Sequence, residues 1–302
     1  MTAPPSALTG AQYTITSGDH TATIVEVGAG LRRYTVGDVD ITGTYRDDEL
    51  PPKGCGATLV PWPNRIRDGR YSFEGVEHQL ALTEPEAGNA IHGLGRWERW
   101  TQVHQTPSEV SLLLDVVPQK GYPFPLRVQI TYTIDEQRGL TVSLAARNTG
   151  TTRAPFGAGS HPYLSTRGHR IDDVTLQLPA RETLVADERG VPIGSRQLEG
   201  KEDLRGGRKL GEQRFDDGFT GLETSDGRGV AELGTSSGGA QLWFDETFRF
   251  LQVFTLDSLG GGPPAVAIEP MTCAPDAFNS GAGLIVLEPD GVWAGSWGIV
   301  PL

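Results

Sequence analysis

Apolar and polar residues alternate with a period of two along much of the chain. Val128, Ile130, Tyr132 and Ile134 alternate with Arg127, Gln129, Thr131 and Thr133. Beyond a turn at Asp135-Glu136-Gln137-Arg138-Gly139, Leu140, Val142, Leu144 and Ala146 alternate with Thr141, Ser143, Ala145 and Arg147. Successive side chains of a strand point to opposite faces, so the pattern predicts an antiparallel hairpin with one face in the core. Shorter apolar runs predict strands over 22–27, 39–44, 70–73, 77–80, 110–116, 173–178, 240–244, 251–256, 265–269 and 284–288. Glu74-Gly75, Gly260-Gly261-Gly262 and Asp290-Gly291 supply turns between them. No segment sustains a helical period. The stretch 198–212 is polar and glycine-rich and reads as a surface loop. Periodicity is weak over 181–218, and strands resume after it.

No stretch has the composition of a linker, and no internal repeat stands out. Residues 1–302 therefore read as one large all-β domain, most simply two packed antiparallel sheets. Strand patterning alone does not separate a β-sandwich from a barrel or a jelly roll. Composition supports many strands joined by many turns: 40 Gly and 21 Pro punctuate a chain whose 37% hydrophobic content can fill a large core. A net charge of −12 opposes binding to nucleic acid or an anionic membrane and is silent about a neutral substrate. Cys55 and Cys273 are too few for a disulfide framework and read as free thiols of a reducing compartment. Met1-Thr2-Ala3-Pro4-Pro5-Ser6 lacks the basic start and apolar run of a signal peptide. No stretch is long and apolar enough to span a bilayer. A cytoplasmic location is expected.

Two distant segments carry the candidate chemistry: Gly159-Ser160-His161-Pro162-Tyr163-Leu164 and Ala267-Ile268-Glu269-Pro270-Met271-Thr272. Each sets a proton-transferring side chain at the edge of a strand-like run. A matched acid and base is what opening and closing a sugar hemiacetal needs. Pro162 restricts His161 to extended backbone. A free imidazole titrates at about 6.5, so donor and acceptor forms coexist near neutrality. Taken alone, His161 reads as a hydrogen-bonded histidine at a strand end. Glu269 reads either as an exposed charge before the turn at Pro270 or as a partly buried base with a raised pKa.

The second segment continues through Cys273-Ala274-Pro275-Asp276-Ala277-Phe278-Asn279-Ser280-Gly281. With it, the chain resembles the aldose 1-epimerase (galactose mutarotase) family from about Ala29 to the C-terminus. The resemblance implies a large β-sandwich, often called a supersandwich. It implies that Glu269 removes the proton of the C1 hydroxyl while His161 protonates the ring oxygen. It further implies that His92, in Ile91-His92-Gly93, binds the sugar, as do Asn64 and Arg65 in Pro63-Asn64-Arg65-Ile66. One aspartate of Phe215-Asp216-Asp217-Gly218-Phe219 would accept from sugar hydroxyls, with alignment on Phe219 favouring Asp216 and leaving Asp217 open. Of the aromatic residues Trp62, Trp97, Trp243 and Phe278, Phe278 inside the strongest motif is the candidate platform for sugar C–H groups. Read without the family, these residues are a loop histidine packed on Trp97, a surface arginine, an Asp-Asp-Gly turn and core aromatics.

The implied reaction requires neither metal nor organic cofactor, and the sequence has no HExxH, CxxC or GxGxxG pattern. The implied partner is a small-molecule sugar, with the chain a monomer or a homodimer. At His161-Pro162-Tyr163-Leu164 the sequence departs from the better-known galactose mutarotases, where Phe often holds the last place and Pro is unusual. It looks closer to a bacterial branch whose sugar is open. Three rivals are weighed. An epimerase of hexose 6-phosphates would use the clusters Arg65, Arg67, Arg70 and Arg96, Arg99. A non-catalytic sugar-binding protein would not need both His161 and Glu269. A carbohydrate lyase or hydrolase would carry metal ligands or extra domains.

Overall fold

The computed structural model describes residues 7–302; the expectation about Met1–Ser6 lies outside them. Almost all of the regular structure is antiparallel strand. A nine-stranded sheet runs in the order Thr101–Gln105, Glu109–Val116, Leu126–Asp135, Gly139–Asn148, Val292–Pro301, Gly238–Asp245, Arg228–Thr235, Thr175–Gln177 and Arg208–Lys209. At its heart is the hairpin legible in the sequence, with Val128 opposite Ala146 and Ile134 opposite Leu140. Along both strands the apolar positions are buried and most polar ones are not.

A second sheet runs Pro192–Gln197, Ala180–Ala186, Asp216–Leu222, Phe250–Leu256, Ala265–Met271, Gly159–Ser160 and Thr58–Leu59, with Tyr163–Ser165 also paired to Ala265–Met271. Inner faces of the two sheets share one apolar core. Val142, Leu144 and Trp297 from the first meet Phe219, Leu251, Val253 and Ile268 from the second. A polar contact also crosses the core: Trp297 Nε1–H donates to Ser160 Oγ at 3.0 Å. The architecture is thus a β-sandwich, and neither a barrel nor a jelly roll.

Several expectations need correcting. Only Val39–Asp40 of the predicted 39–44 is strand, because the N–H groups of both Ile41 and Thr42 turn to the Tyr34 carbonyl. Asp173 ends a 3₁₀ turn, Ile171–Asp173, rather than beginning a strand. The weakly periodic 181–218 region contains the mutually paired strands Ala180–Ala186 and Pro192–Gln197 and the short strand Arg208–Lys209, paired with Thr175–Gln177. Nor is 198–212 a free surface loop: Leu198, Leu204 and Leu210 are buried and pin it to the main core.

Candidate active site

Strand Ala265–Met271 is buried at every residue and carries Glu269 at its fifth position, inside the strand rather than at its end. Register decides what lies beside that carboxylate. Gln252 of Phe250–Leu256 is directly opposite it on one side. On the other side Gly159 pairs with Met271 and Tyr163 with Ala267, which puts His161 opposite Glu269. His161 and Pro162 interrupt the strand there. Proline has no N–H to give to a ladder, so the break frees the His161 side chain to turn toward its neighbour. The result is His161 Nε2 at 3.3 Å from Glu269 Oε1, both side chains almost fully buried.

The surroundings hold the imidazole. Its ring stacks on Tyr163, with centroids 5.1 Å apart, and meets the His92 ring edge-on at 5.4 Å. Gly54 closes the other side: its φ of +73° suits glycine, and a Cβ there would lie 3.1 Å from His161 Cδ2.

Burial dominates the electrostatics of the pair. It raises the Glu269 pKa well above the ordinary glutamate value, and the charge of Asp216 adds to the rise while Arg65 opposes it. Burial also lowers the His161 pKa, and the nearby Arg96 charge lowers it further. The imidazole therefore does not titrate on its own near neutrality, as a solvated histidine would. Glu269 Oε2 and His161 Nδ1 are buried without a hydrogen-bond partner in the protein. Buried polar atoms are rarely left so, and at a cleft they point to a ligand.

A short ribbon, Arg65–Arg67 paired with Asn89–Ile91, delivers the next group. Asn64 (φ +55°) and His92 (φ +63°) flank it in the left-handed region, a strained backbone for side-chain-bearing residues. They are tied to each other. The His92 N–H donates to the Asn64 carbonyl at 2.8 Å, and the Asn64 N–H donates to His92 Nδ1 at 3.2 Å. An N–H can only donate, so Nδ1 must accept and the ring proton sits on Nε2. Burial and the neighbouring cations keep this ring neutral, with a pKa well below the ordinary value. His92 therefore offers an N–H donor.

Arg65 is held rather than free. Its Nε and Nη2 donate to the two oxygens of Glu84, each at 2.9 Å, while Asn89 Nδ2 donates to Glu84 Oε2 at 3.0 Å. Asp216 Oδ1 accepts from Gln252 Nε2 at 2.8 Å, which brings that aspartate to the Glu269 side of the cleft. Asp217, next along the strand, lines an adjoining pocket with Asp187 and Arg189.

Together Asn64, Arg65, His92, His161, Asp216 and Glu269 line one cleft of about 400 Å³, the size of a small-molecule site. Phe278 does not reach it. That ring is buried against Tyr71 and Trp62, at 5.0 and 5.8 Å, in the aromatic core beneath the site. The exposed aromatic at the cleft is instead Trp97. Gln252 and Glu84 are cleft residues that sequence reasoning passed over, and Arg96 entered it only as half of a phosphate-binding cluster with Arg99. Gln252 had one detectable signal, its place in the strand paired to the glutamate strand. Among the described residues no group of His, Cys, Asp and Glu is arranged to hold a metal ion.

The arginine clusters proposed from sequence mostly dissolve. Arg67 is paired with Asp187, Arg99 with Glu26, and Arg70 donates to Gln79. Both cysteines are buried and free, their thiol pKa values pushed up to about 12 by burial. No helix among the described residues is long and apolar enough to cross a membrane.

Comparison with known proteins gives a consistent result. The model of the aldose 1-epimerase family matches residues 11–299. YihR of Escherichia coli (strain K12), itself uncharacterized, is 34% identical over 284 residues, covering 92% of this chain and 89% of that protein. The aldose 1-epimerase of the same organism is 28% identical over 229 residues, covering 69% and 65%. Among solved structures, a galactose mutarotase-like protein from Clostridium acetobutylicum superposes with a TM-score of 0.83 at 18% identity, covering 96% and 94%.

Proposed function

The chain belongs to the aldose 1-epimerase family, whose members are isomerases, and we propose that it interconverts the α and β anomers of a free aldose. One observation carries the reading: a buried carboxyl and a buried imidazole, opposed across a broken ladder 3.3 Å apart, each with one unpartnered polar atom. The hydroxyl and ring oxygens of a sugar hemiacetal sit on the same carbon, C1. An acid and a base a few ångströms apart can address both together.

In this mechanism Glu269 takes the proton of the C1 hydroxyl while His161 delivers one to the ring oxygen. The bond from C1 to the ring oxygen breaks with its electron pair on that oxygen, and C1 becomes an aldehyde. Rotation about C1–C2 presents the other carbonyl face. On closure the C5 hydroxyl attacks C1, His161 recovers its proton, and Glu269 protonates the new C1 oxygen. Burial holds the resting pair as carboxylic acid and imidazole. Ring opening starts from the form with that proton moved to His161, carboxylate and imidazolium, and restores carboxylic acid and imidazole. Both forms hold one proton and carry no net charge. His92 Nε2–H and Arg65 donate to sugar oxygens, Asn64 holds His92, and Asp216 accepts from hydroxyls. Trp97 supplies the apolar face. We place the reaction in the cytoplasm, on the two buried free thiols.

Polarimetry of freshly dissolved α-D-glucose and α-D-galactose tests the reading, with acceleration over background expected. Glu269→Gln keeps the shape and loses the base. It is expected to lower kcat by about 10²–10⁴-fold while sugar still binds, and His161→Asn to do the same. The wild-type kcat/KM is expected to stay flat through neutrality, falling only where the pair gains a second proton or loses its last. Unchanged turnover in Glu269→Gln removes Glu269 from the mechanism.

A further inference from the structure

Resting on that reading, we propose that the preferred substrate is an aldose bearing an anionic group at C6, recognised by Arg96 with Lys53. Arg96 sits in the 3₁₀ turn Gly95–Trp97 and lines the same cleft as His161 and Glu269. Its guanidinium is partly buried, lies 5.5 Å from the Trp97 ring centroid, and makes no hydrogen bond or ion pair among the described residues.

That isolation is unusual among its neighbours, because Arg65, Arg67, Arg70 and Arg99 all have partners. A guanidinium withdrawn from water without a counter-charge is costly, and one facing a cleft is offset when a ligand supplies the anion. Burial indeed disfavours its charged form, and Glu84, already bonded to Arg65, offsets this only in part. Lys53 lines the cleft as well; it is exposed, its ammonium makes no ion pair among the described residues, and Tyr163 O–H holds its carbonyl at 3.2 Å.

The carboxylates of the cleft do not fill the role. Glu84 is committed to Arg65, Asp216 to Gln252 and Glu269 to His161, while Glu86 is exposed at the rim. A neutral sugar offers an unpaired guanidinium only hydroxyl oxygens, which accept a hydrogen bond but bring no counter-charge. A phosphate, sulfonate or carboxylate matches it with two oxygens.

Position on the sugar follows from which side of the cleft Arg96 occupies. Arg96 follows His92 by four residues, the His92 ring meets that of His161 edge-on at 5.4 Å, and all three line the same cleft. His161 is the group assigned to the ring oxygen. The ring carbon beside that oxygen, other than C1, is C5, and its exocyclic arm is C6.

The test is anomer interconversion of three sugars by wild-type protein: glucose, glucose 6-phosphate and glucuronate. A kcat/KM at least about tenfold higher for one anionic sugar than for glucose is expected, the value of a charge-assisted hydrogen bond. The better anion separates a tetrahedral from a planar group. Arg96→Gln is expected to shrink the ratio of anionic to neutral kcat/KM by about 10–100-fold, mainly through KM, with Arg96→Lys recovering part of it. Acceleration of glucose with no advantage for either anion overturns this inference and leaves the mutarotase reading standing. No acceleration of any of the three sugars overturns both. The wild-type comparison decides even where a variant fails to fold.

Discussion

Glu269 is the residue on which stability and chemistry pull in opposite directions. In an unfolded chain its carboxyl ionises in the ordinary range, whereas in the folded protein burial keeps the proton on to a much higher pH. The folded state thus binds more protons than the unfolded one between those two pKa values, and stability falls as pH rises through that window. Below the ordinary glutamate range both states are protonated and the effect vanishes. Glu269→Gln carries no such dependence. It is expected to melt a few degrees above wild type at pH 8 and level with it at pH 4, as thermal denaturation at both values would show. A wild-type advantage at pH 8 would mean that ionised Glu269 is stabilised by its neighbours. Part of this residue was readable in advance: its type and its motif, with a raised pKa as one of two alternatives. Its place inside the strand was not, because Ala265–Met271 is covered on both faces and shows no alternation to mark where the strand ends. Phe278 misled for a related reason. A motif says that a residue matters, and here the aromatic was supporting the cleft from below.

At the scale of elements, the sheet and the short turns divide the work. Strands Phe250–Leu256, Ala265–Met271 and the interrupted Gly159–Ser160 set Gln252, Glu269 and His161 side by side through register. The 3₁₀ turn Pro52–Gly54 then presses against the imidazole. Gly54→Ala combines a φ of +73° with a Cβ aimed at His161. It is expected to destabilise by about 1–2 kcal/mol from the backbone alone and to lower kcat more than it raises KM. Kinetics with a thermal melt check this; wild-type kcat would mean that the ring tolerates a shift. Strands with one wet face announced themselves, as the hairpin Leu126–Asp135 and Gly139–Asn148 did. Pro192–Gln197 did not, because it is an edge strand open to solvent along nearly its whole length and has no apolar face to betray it. Between Asp216 and Asp217 the resemblance favoured Asp216 and left Asp217 open; the local pattern added nothing, since the choice depends on which face of the strand turns toward Gln252.

Across the whole molecule, one core cluster draws on the nine-stranded sheet, the second sheet and the N-terminal strands Gln12–Ser17 and His20–Val25 alike. We propose on this basis that the described residues, 7–302, form one folding unit. Urea unfolding followed by far-UV circular dichroism and by tryptophan emission is then expected to give coincident transitions; two separated ones would divide the chain. The long-range pairings of the sandwich could not be deduced from local pattern, which names strands but not their neighbours. Their consequence reaches beyond this protein. On the proposed reading acid and base are set by the ladder, while Arg96 and Trp97 sit on a short turn at its margin, so the choice of sugar is heritable apart from the reaction. A lineage that exchanges this turn acquires a new sugar without reinventing the proton transfer, and a designer could graft it for the same purpose.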